Sequence, residues 1–359
     1  MSCTRCEALP AVTTVTPQGT LYLAPPLHHT AMTIRTALRE SGLHPEEPGP
    51  GLLAVRPETP ALLERLLHAL AHRLSAIEQR DTKCLLLRDS DGPPSIQQLM
   101  QMETLAGLVA RFNGRWLIEL LREERLISHF QPIVPANAPH QVFAYEMLLR
   151  GIDEQGELVF PGRIFSVARA ADLLFQVDRA ARISAIRQAH RHSVEAHLFI
   201  NFVPTAIYDP EFCLRSTVHE IEQAGISAER VVFEVVESEQ VHDVAHLGRI
   251  MHFYRERGFR LALDDVGAGY SSLTLLPELR PDFIKLDMGL VRGVDHDPYR
   301  ATIAQKLLEL AHSLGVRTVA EGVETRGEYD WLVEHGADLV QGWLFARPGT
   351  PPPQPAALS

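Results

Sequence analysis

The chain has 359 residues, 45% hydrophobic and 22% charged, with 45 acidic against 34 basic side chains and a formal net charge of −11. These values exclude wholesale disorder, a collagen-like repeat and a disulfide-stapled miniprotein, and at roughly 150 residues per domain they predict about two domains. The negative field repels polyanions and excludes a nucleic-acid scaffold, so a small anionic ligand would need a local patch of metal ions, lysine or arginine.

Residues 1–95 are punctuated by Pro and Gly at Pro25-Pro26, Pro45 to Gly51 and Gly92 to Pro94. Between them LYLAP (21–25), LLAV (52–55) and KCLLLRD (83–89) read as short strands, and the stretches near 30–40 and 60–79 read as helices. This predicts a small α/β unit with a regulatory role. From Ile96 to Arg125 the residues Leu99, Met102, Leu105, Leu108 and Val109 recur at helical spacing. That segment is read as a connecting helix, either for signalling or dimerisation or simply packed into a core. Residues 348–359 form a Pro-rich tail expected to be disordered.

Cys3, Cys6, Cys84 and Cys213 are too few and too scattered for a disulfide framework and read as reduced thiols. Cys3-x-x-Cys6, with His28 and His29 downstream, lacks the second pair that would make it a metal motif. No apolar run approaches the ~18 residues of a membrane span, and no leader pattern opens the chain, so the expected compartment is the cytoplasm, with no membrane partner.

From 126 to 347 the pattern becomes βα repetition. Its apolar runs are HFQPIV (129–134), VFAYEMLLR (142–150), HLFINF (197–202), RVVFEVVE (230–237), FRLALDD (259–265), DFIKLD (282–287), VRTVAE (316–321) and ADLVQGW (337–343). Eight such runs with helical crossovers predict a (β/α)8 barrel of TIM type, whose chemistry sits at the strands' C-terminal ends. Glu146, Asn201, Glu234, Asp264, Asp265, Lys285, Asp287 and Glu321 fall in or at the ends of these runs. A charged group there must be paired, hydrogen-bonded or metal-bound. Carboxylates plus one amide suit Mg²⁺ or Mn²⁺, and adjacent Asp264-Asp265 suit a pair of cations, the arrangement used for phosphodiester hydrolysis.

At these residues the sequence resembles the EAL domain family of cyclic di-GMP phosphodiesterases, whose fold is a modified (β/α) barrel. The signature is Glu146-Met147-Leu148, with Met where the family name has Ala. The likeness continues through FQPIV (130–134), INFVP (200–204), FEVVES (233–238), LDDVGAGYSSL (263–273), IKLD (284–287), AEGVET (320–325) and QGWLFARP (341–348). Several ordered motifs are far more specific than any single one.

Carried over position by position, the resemblance implies that Glu146, Asn201, Glu234 and Asp264 hold a first cation, while Asp264, Asp265 and Glu321 serve a second. Lys285 holds or helps deprotonate the attacking water, with Glu321, Asp265 and Glu146 completing the catalytic set, and Asp287 orients Lys285. Arg150 and Gln131 contact substrate together with Asp287, and Glu324 and Gln341 act on substrate or behind the ligands. Glu237 anchors the loop 266–273 near a dimer contact. Departures are Gly151 where the family has Trp, and Arg169 and Asp172 where it tends to carry Glu and Gly. They flank the nucleotide rather than the cations. No GGDEF-type motif appears.

The expected function is metal-dependent hydrolysis of cyclic di-GMP to linear pGpG, lowering second-messenger levels in bacterial signalling, by a homodimer whose N-terminal unit receives a regulatory partner or signal. The competing readings are a catalytically silent EAL receptor for the dinucleotide and an unrelated Mg²⁺ barrel such as an enolase-like lyase.

Overall fold

Period-two alternation in GTLYLA and LLAV turns Leu21, Leu23, Leu53 and Val55 onto one face of a sheet, where all four are buried. The computed structural model describes residues 19–88, 94–235, 243–267 and 272–357. Its N-terminal strands are β1 (Gly19–Ala24), β2 (Glu46–Gly49), β3 (Leu52–Val55), β4 (Lys83–Arg88) and β5 (Glu103–Thr104). They form an antiparallel sheet in the order β2-β3-β1-β4-β5. With helices His28–Glu40 and Pro60–Arg73 as crossovers, the first four strands make a split βαβ, ferredoxin-like arrangement.

The helix at Pro60 starts on Thr59, whose hydroxyl accepts from Leu62 N at 3.2 Å, and it buries Leu63, Leu66, Leu67 and Leu70 as one stripe. The expected helix over 60–79 breaks at Leu74. There Ser75 and Glu78 form a reciprocal capping box that opens a second helix, Ala76–Asp81.

The expected continuous helix over 96–125 is not formed. The stretch is a short helix Ile96–Leu99, then β5, then helices Leu105–Asn113 and Arg115–Arg122. Thr104 ends β5 and caps the next helix through Gly107 N at 3.1 Å. The packed-core reading fits Leu105, Leu108 and Val109, which with Phe112 lie in the same core as Leu21, Ile34, Leu66 and Cys84, while Leu99 and Met102 are only partly buried.

Each of the eight runs expected to be strands contains one. The barrel strands are β6 (Leu126–Pro135), β7 (Ala144–Ile152), β9 (His197–Phe202), β10 (Val231–Val235), β11 (Arg260–Val266), β12 (Phe283–Leu286), β13 (Arg317–Ala320) and β14 (Leu339–Val340). The short β8 (Leu158–Val159) adds to the edge of β7. The circuit runs β6-β14-β13-β12-β11-β10-β9-β7, and β7 closes on β6. All pairings in it are parallel except those of β6, which runs antiparallel to both neighbours. This is the modification of the TIM-type barrel.

Inside, Ile133, Ala144, Phe199, Val232, Ala262, Phe283, Val319 and Leu339 pack as one apolar layer, one residue per strand. The chain divides into two units, the barrel residues 125–161 and 178–357, and the N-terminal residues 19–124 together with 162–177. In the latter segment Asp172 has φ +56°, a left-handed position. Asp is among the side chains that tolerate such a backbone.

Two features anchor the barrel outside its lumen. Asp178 and Arg182, both buried on helix Leu174–Arg191, pair at 2.8 Å, and Arg182 also donates to Thr217 Oγ1. The other Asp178 oxygen accepts from Val203 N at 2.8 Å, fixing the chain just beyond β9. The second anchor corrects the expectation of a disordered tail. Gly349 exchanges two backbone hydrogen bonds with Phe130 (2.8 and 3.0 Å), Tyr145 Oη donates to the Pro353 carbonyl at 3.1 Å, and Ala356 N donates to Phe345 O at 2.8 Å. Proline fixes φ and removes a donor, so a Pro-rich strip needs few partners to lie in one conformation. No helix among the described residues is long and apolar enough to cross a membrane.

Removing one partner of a buried ion pair leaves the other charge uncompensated, at about 3–5 kcal/mol. Asp178→Ala is therefore expected to lower barrel stability by about that amount, read as a fall in the urea midpoint of the barrel transition. Converting Arg182 to Met in the same chain should recover part of it. An unchanged midpoint in the single variant would show that the pair does not carry this load.

Candidate active site

The apolar layer specifies where the polar one must lie. Two residues beyond the apolar residue of each parallel strand stand Glu146, Asn201, Glu234, Asp264, Lys285, Glu321 and Gln341, the last two just past their strands' ends, and two residues back along the antiparallel β6 stands Gln131. Every strand thus contributes one polar side chain to a layer at the C-terminal mouth. Register agrees, with Gln131 opposite Glu146 and Asn201 opposite Glu234.

Lys285 Nζ is the centre of this layer. It lies 2.5 Å from Glu321 Oε1, 2.9 Å from Glu234 Oε1, 3.1 Å from Asp264 Oδ1 and 3.5 Å from Glu146 Oε1. Glu146 is held from both sides, by Gln341 Nε2 donating to Oε2 at 2.7 Å and Asn201 Nδ2 donating to Oε1 at 3.3 Å. Glu234 and Lys285 are 0% and 1% exposed, so the pair sits out of water. Burial alone pulls the Lys285 ammonium down, but Asp264, Glu146, Glu234 and Glu321 outweigh it and hold the group well above the usual lysine range. Burial pushes the Glu234, Asp264 and Glu321 carboxyls up, and Lys285 only partly offsets it.

Consecutive strand residues face opposite sides, yet Asp264 and Asp265 both belong to this site. The β11–β12 register shifts between Leu263 and Val266, and Asp265 adopts φ +54°, a left-handed conformation uncommon for a non-glycine residue. The irregularity re-aims one side chain, as bulges beside active sites do. One oxygen each from Asp264, Asp265 and Glu321 come within 4.8 Å of one another. Burial and then Asp264 push the Asp265 carboxyl up to about 6. Glu234 Oε2 and Gln341 Oε1 are buried without a hydrogen-bond partner. An all-oxygen set with an excess of negative charge and an orphaned carboxylate oxygen fits hard divalent cations.

The remaining sequence candidates divide. Asp287 does not pair with Lys285. Its carboxylate caps the short helix Met288–Val291 by accepting from Gly289 N at 2.8 Å, because a residue immediately past a strand end that opens a helix is consumed by the helix start. Glu324 is drawn to Arg292. Gln131 Nε2 donates to the Ala346 carbonyl at 3.4 Å, and Arg150 donates to the Leu149 carbonyl at 2.7 Å while lying 5.3 Å over the Phe160 ring. Glu237 and positions 268–271 of the loop fall outside the described residues, as do Cys3 and Cys6.

Fold and site together define a TIM-like barrel with an acidic mouth at the strands' C-terminal ends. A model of the EAL domain matches residues 114–348, and the chain belongs to that family. The match begins twelve residues before the barrel's expected start, taking in the helix Arg115–Arg122. Cyclic di-GMP phosphodiesterase NbdA of Pseudomonas aeruginosa is 31% identical over 236 residues, which is 65% of this chain and 30% of that protein. The bifunctional diguanylate cyclase/cyclic di-GMP phosphodiesterase MucR of the same organism is 29% identical over 237 residues, 65% of this chain and 34% of that protein. The chain thus spans about a third of the length of these two relatives. Among solved structures, the c-di-GMP-bound standalone EAL protein of Vibrio cholerae O395 is 37% identical with a TM-score of 0.58, covering 64% of this chain and 95% of that one. The c-di-GMP complex of the PaMucR phosphodiesterase is 27% identical with a TM-score of 0.59, covering 67% and 97%.

Two outcomes are expected at this site. Lys285→Met leaves Glu234 buried beside no cation, so the metal-free variant should lose about 3–5 kcal/mol of barrel stability, and Mn²⁺ should raise its melting temperature more than that of the wild type. Equal metal-free melting temperatures would contradict the charge balance described. Because the Asp265 carboxyl is raised to about 6, it carries a proton below that pH and a cation must displace it. Mn²⁺ affinity measured by calorimetry should fall as pH drops through about 6. A flat profile between pH 7 and 5 would remove Asp265 from the ligand set.

Proposed function

We propose that the chain hydrolyses cyclic di-GMP to linear pGpG with the aid of two divalent cations, Mg²⁺ or Mn²⁺. The observation that carries this reading is the complete polar layer: each inward position implied for the family's chemistry is filled, and four carboxylates face a single ammonium, with Asp265 beside Asp264 and Glu321. The named relatives and the two ligand-bound structures support the dinucleotide as substrate.

Glu146, Asn201, Glu234 and Asp264 would hold one cation, and Asp264, Asp265 and Glu321 the other. Cations held there would supply charge neutralisation for the phosphate and lower the pKa of a water molecule, so that its hydroxide form is available as nucleophile. Lys285 stays charged in its acidic surroundings and so orients that water and offsets phosphate charge rather than serving as a base. Asp265, whose carboxyl is raised to about 6, is suited to take a proton near neutral pH, and Glu321, whose carboxyl burial raises, stands beside it. Gln341 and Asn201 fix the Glu146 carboxylate, which limits reorganisation when the cations bind. Arg150, on β7, supplies a guanidinium for a phosphate oxygen. Dimerisation, and regulation by the N-terminal unit, complete the proposal.

Purified full-length protein with Mg²⁺ or Mn²⁺ is expected to convert cyclic di-GMP to pGpG, followed by chromatography, with no product in Ca²⁺ or EDTA. Asp264→Ala should abolish turnover while leaving the circular dichroism spectrum unchanged. Tight binding of intact dinucleotide without product in any cation would instead identify a receptor.

A further inference from the structure

Thr325 and Glu328 form an ordinary capping box at the start of helix Arg326–Glu334, with Glu328 accepting from Thr325 N at 3.0 Å. The same carboxylate does more than cap. It accepts from Glu324 N at 2.9 Å and, across 35 residues of sequence, from Gly293 N at 2.8 Å. Glu328 is 5% exposed, and these backbone donors hold its carboxyl low against the opposing effect of burial. A carboxylate receiving three N–H groups from two segments is a tie between them.

Those segments are the ones that leave the site. Gly293 lies in the turn after the short helix Met288–Val291 that follows β12, the strand of Lys285, and Glu324 lies three residues past Glu321, which follows β13. Arg292 and Glu324 make a second link between the same two segments. They also approach at Gly322, where φ is +72° and an added Cβ would meet Met288 Cβ at 2.5 Å. Lys285 Nζ and Glu321 Oε1 are 2.5 Å apart just beneath.

We infer that Glu328 is a positioning residue for the cation site: by tying the Gly293 turn to the Glu321–Thr325 loop it fixes the distance between the Lys285 and Glu321 strand ends. This inference rests on the two-cation reading above.

The test compares Glu328→Gln with Thr325→Ala in the full-length chain. The second variant removes half of the capping box and leaves the Gly293 tie intact. Amide hydrogen exchange is read in the metal-free protein, Mn²⁺ affinity by calorimetry, and hydrolysis separately. Groups that orient metal ligands typically change affinity by about 10-fold or more. Glu328→Gln should speed exchange at Gly293 and Glu324 and weaken Mn²⁺ binding by about tenfold; Thr325→Ala should leave Mn²⁺ affinity within about twofold of wild type, well inside that effect. Should Glu328→Gln not fold, Glu328→Asp, which keeps the charge on a shorter arm, is read the same way. Equal Mn²⁺ affinities for the two variants would reduce Glu328 to a helix cap and overturn the inference. The predicted affinity pattern in a protein that does not hydrolyse cyclic di-GMP would overturn the substrate reading and leave Glu328 in its role.

Discussion

One buried ammonium makes the mouth of this barrel possible. Lys285 lies within ion-pair distance of Glu146, Glu234, Asp264 and Glu321, in a layer where Glu234 and the lysine itself are almost wholly removed from water. Burying even one isolated carboxylate is strongly unfavourable, and a single positive charge among several negative ones compensates only part of that. The residual negative charge is what a cation site requires. It also separates the roles of the charged groups, because the surroundings that raise the carboxyls hold the lysine protonated.

The layer has this composition because the barrel has this register. Side chains on a strand alternate with period two, so the apolar residue that fills the floor and the polar residue that lines the mouth are second neighbours on every strand. Reversal of β6 changes the sign of the step but not the face, bringing Gln131 in beside Glu146. Only β11 breaks the rule. Its irregular pairing and the left-handed Asp265 give the site two consecutive carboxylates where a regular strand would offer one. The strain falls where the chemistry needs it.

Much of this was legible in the sequence. Charged residues inside apolar runs are hard to explain unless they converge, and Glu146, Glu234, Asp264, Lys285 and Glu321 do converge. Other expectations failed for local reasons. The stripe from Leu99 to Val109 has helical spacing, yet Thr104 favours a helix start within it, and the segment divides around β5. Asp287, which the family resemblance set against Lys285, lies one residue past β12, and its carboxylate is taken up in capping the helix that starts there. The Pro-rich tail was misread because composition carries no information about the Phe130 and Tyr145 surfaces that receive it.

The sequence by itself determined the barrel class, the strand-borne acids and the family, because hydrophobic period and ordered motifs are local properties of the chain. Tertiary structure alone decided which groups meet. That Gln341 grips Glu146 from 195 residues away, that Asp178 holds the backbone behind Asn201, and that Glu328 reaches Gly293 all depend on closure of the barrel. Such contacts are set by register and curvature summed over many strands, and no window of sequence contains them.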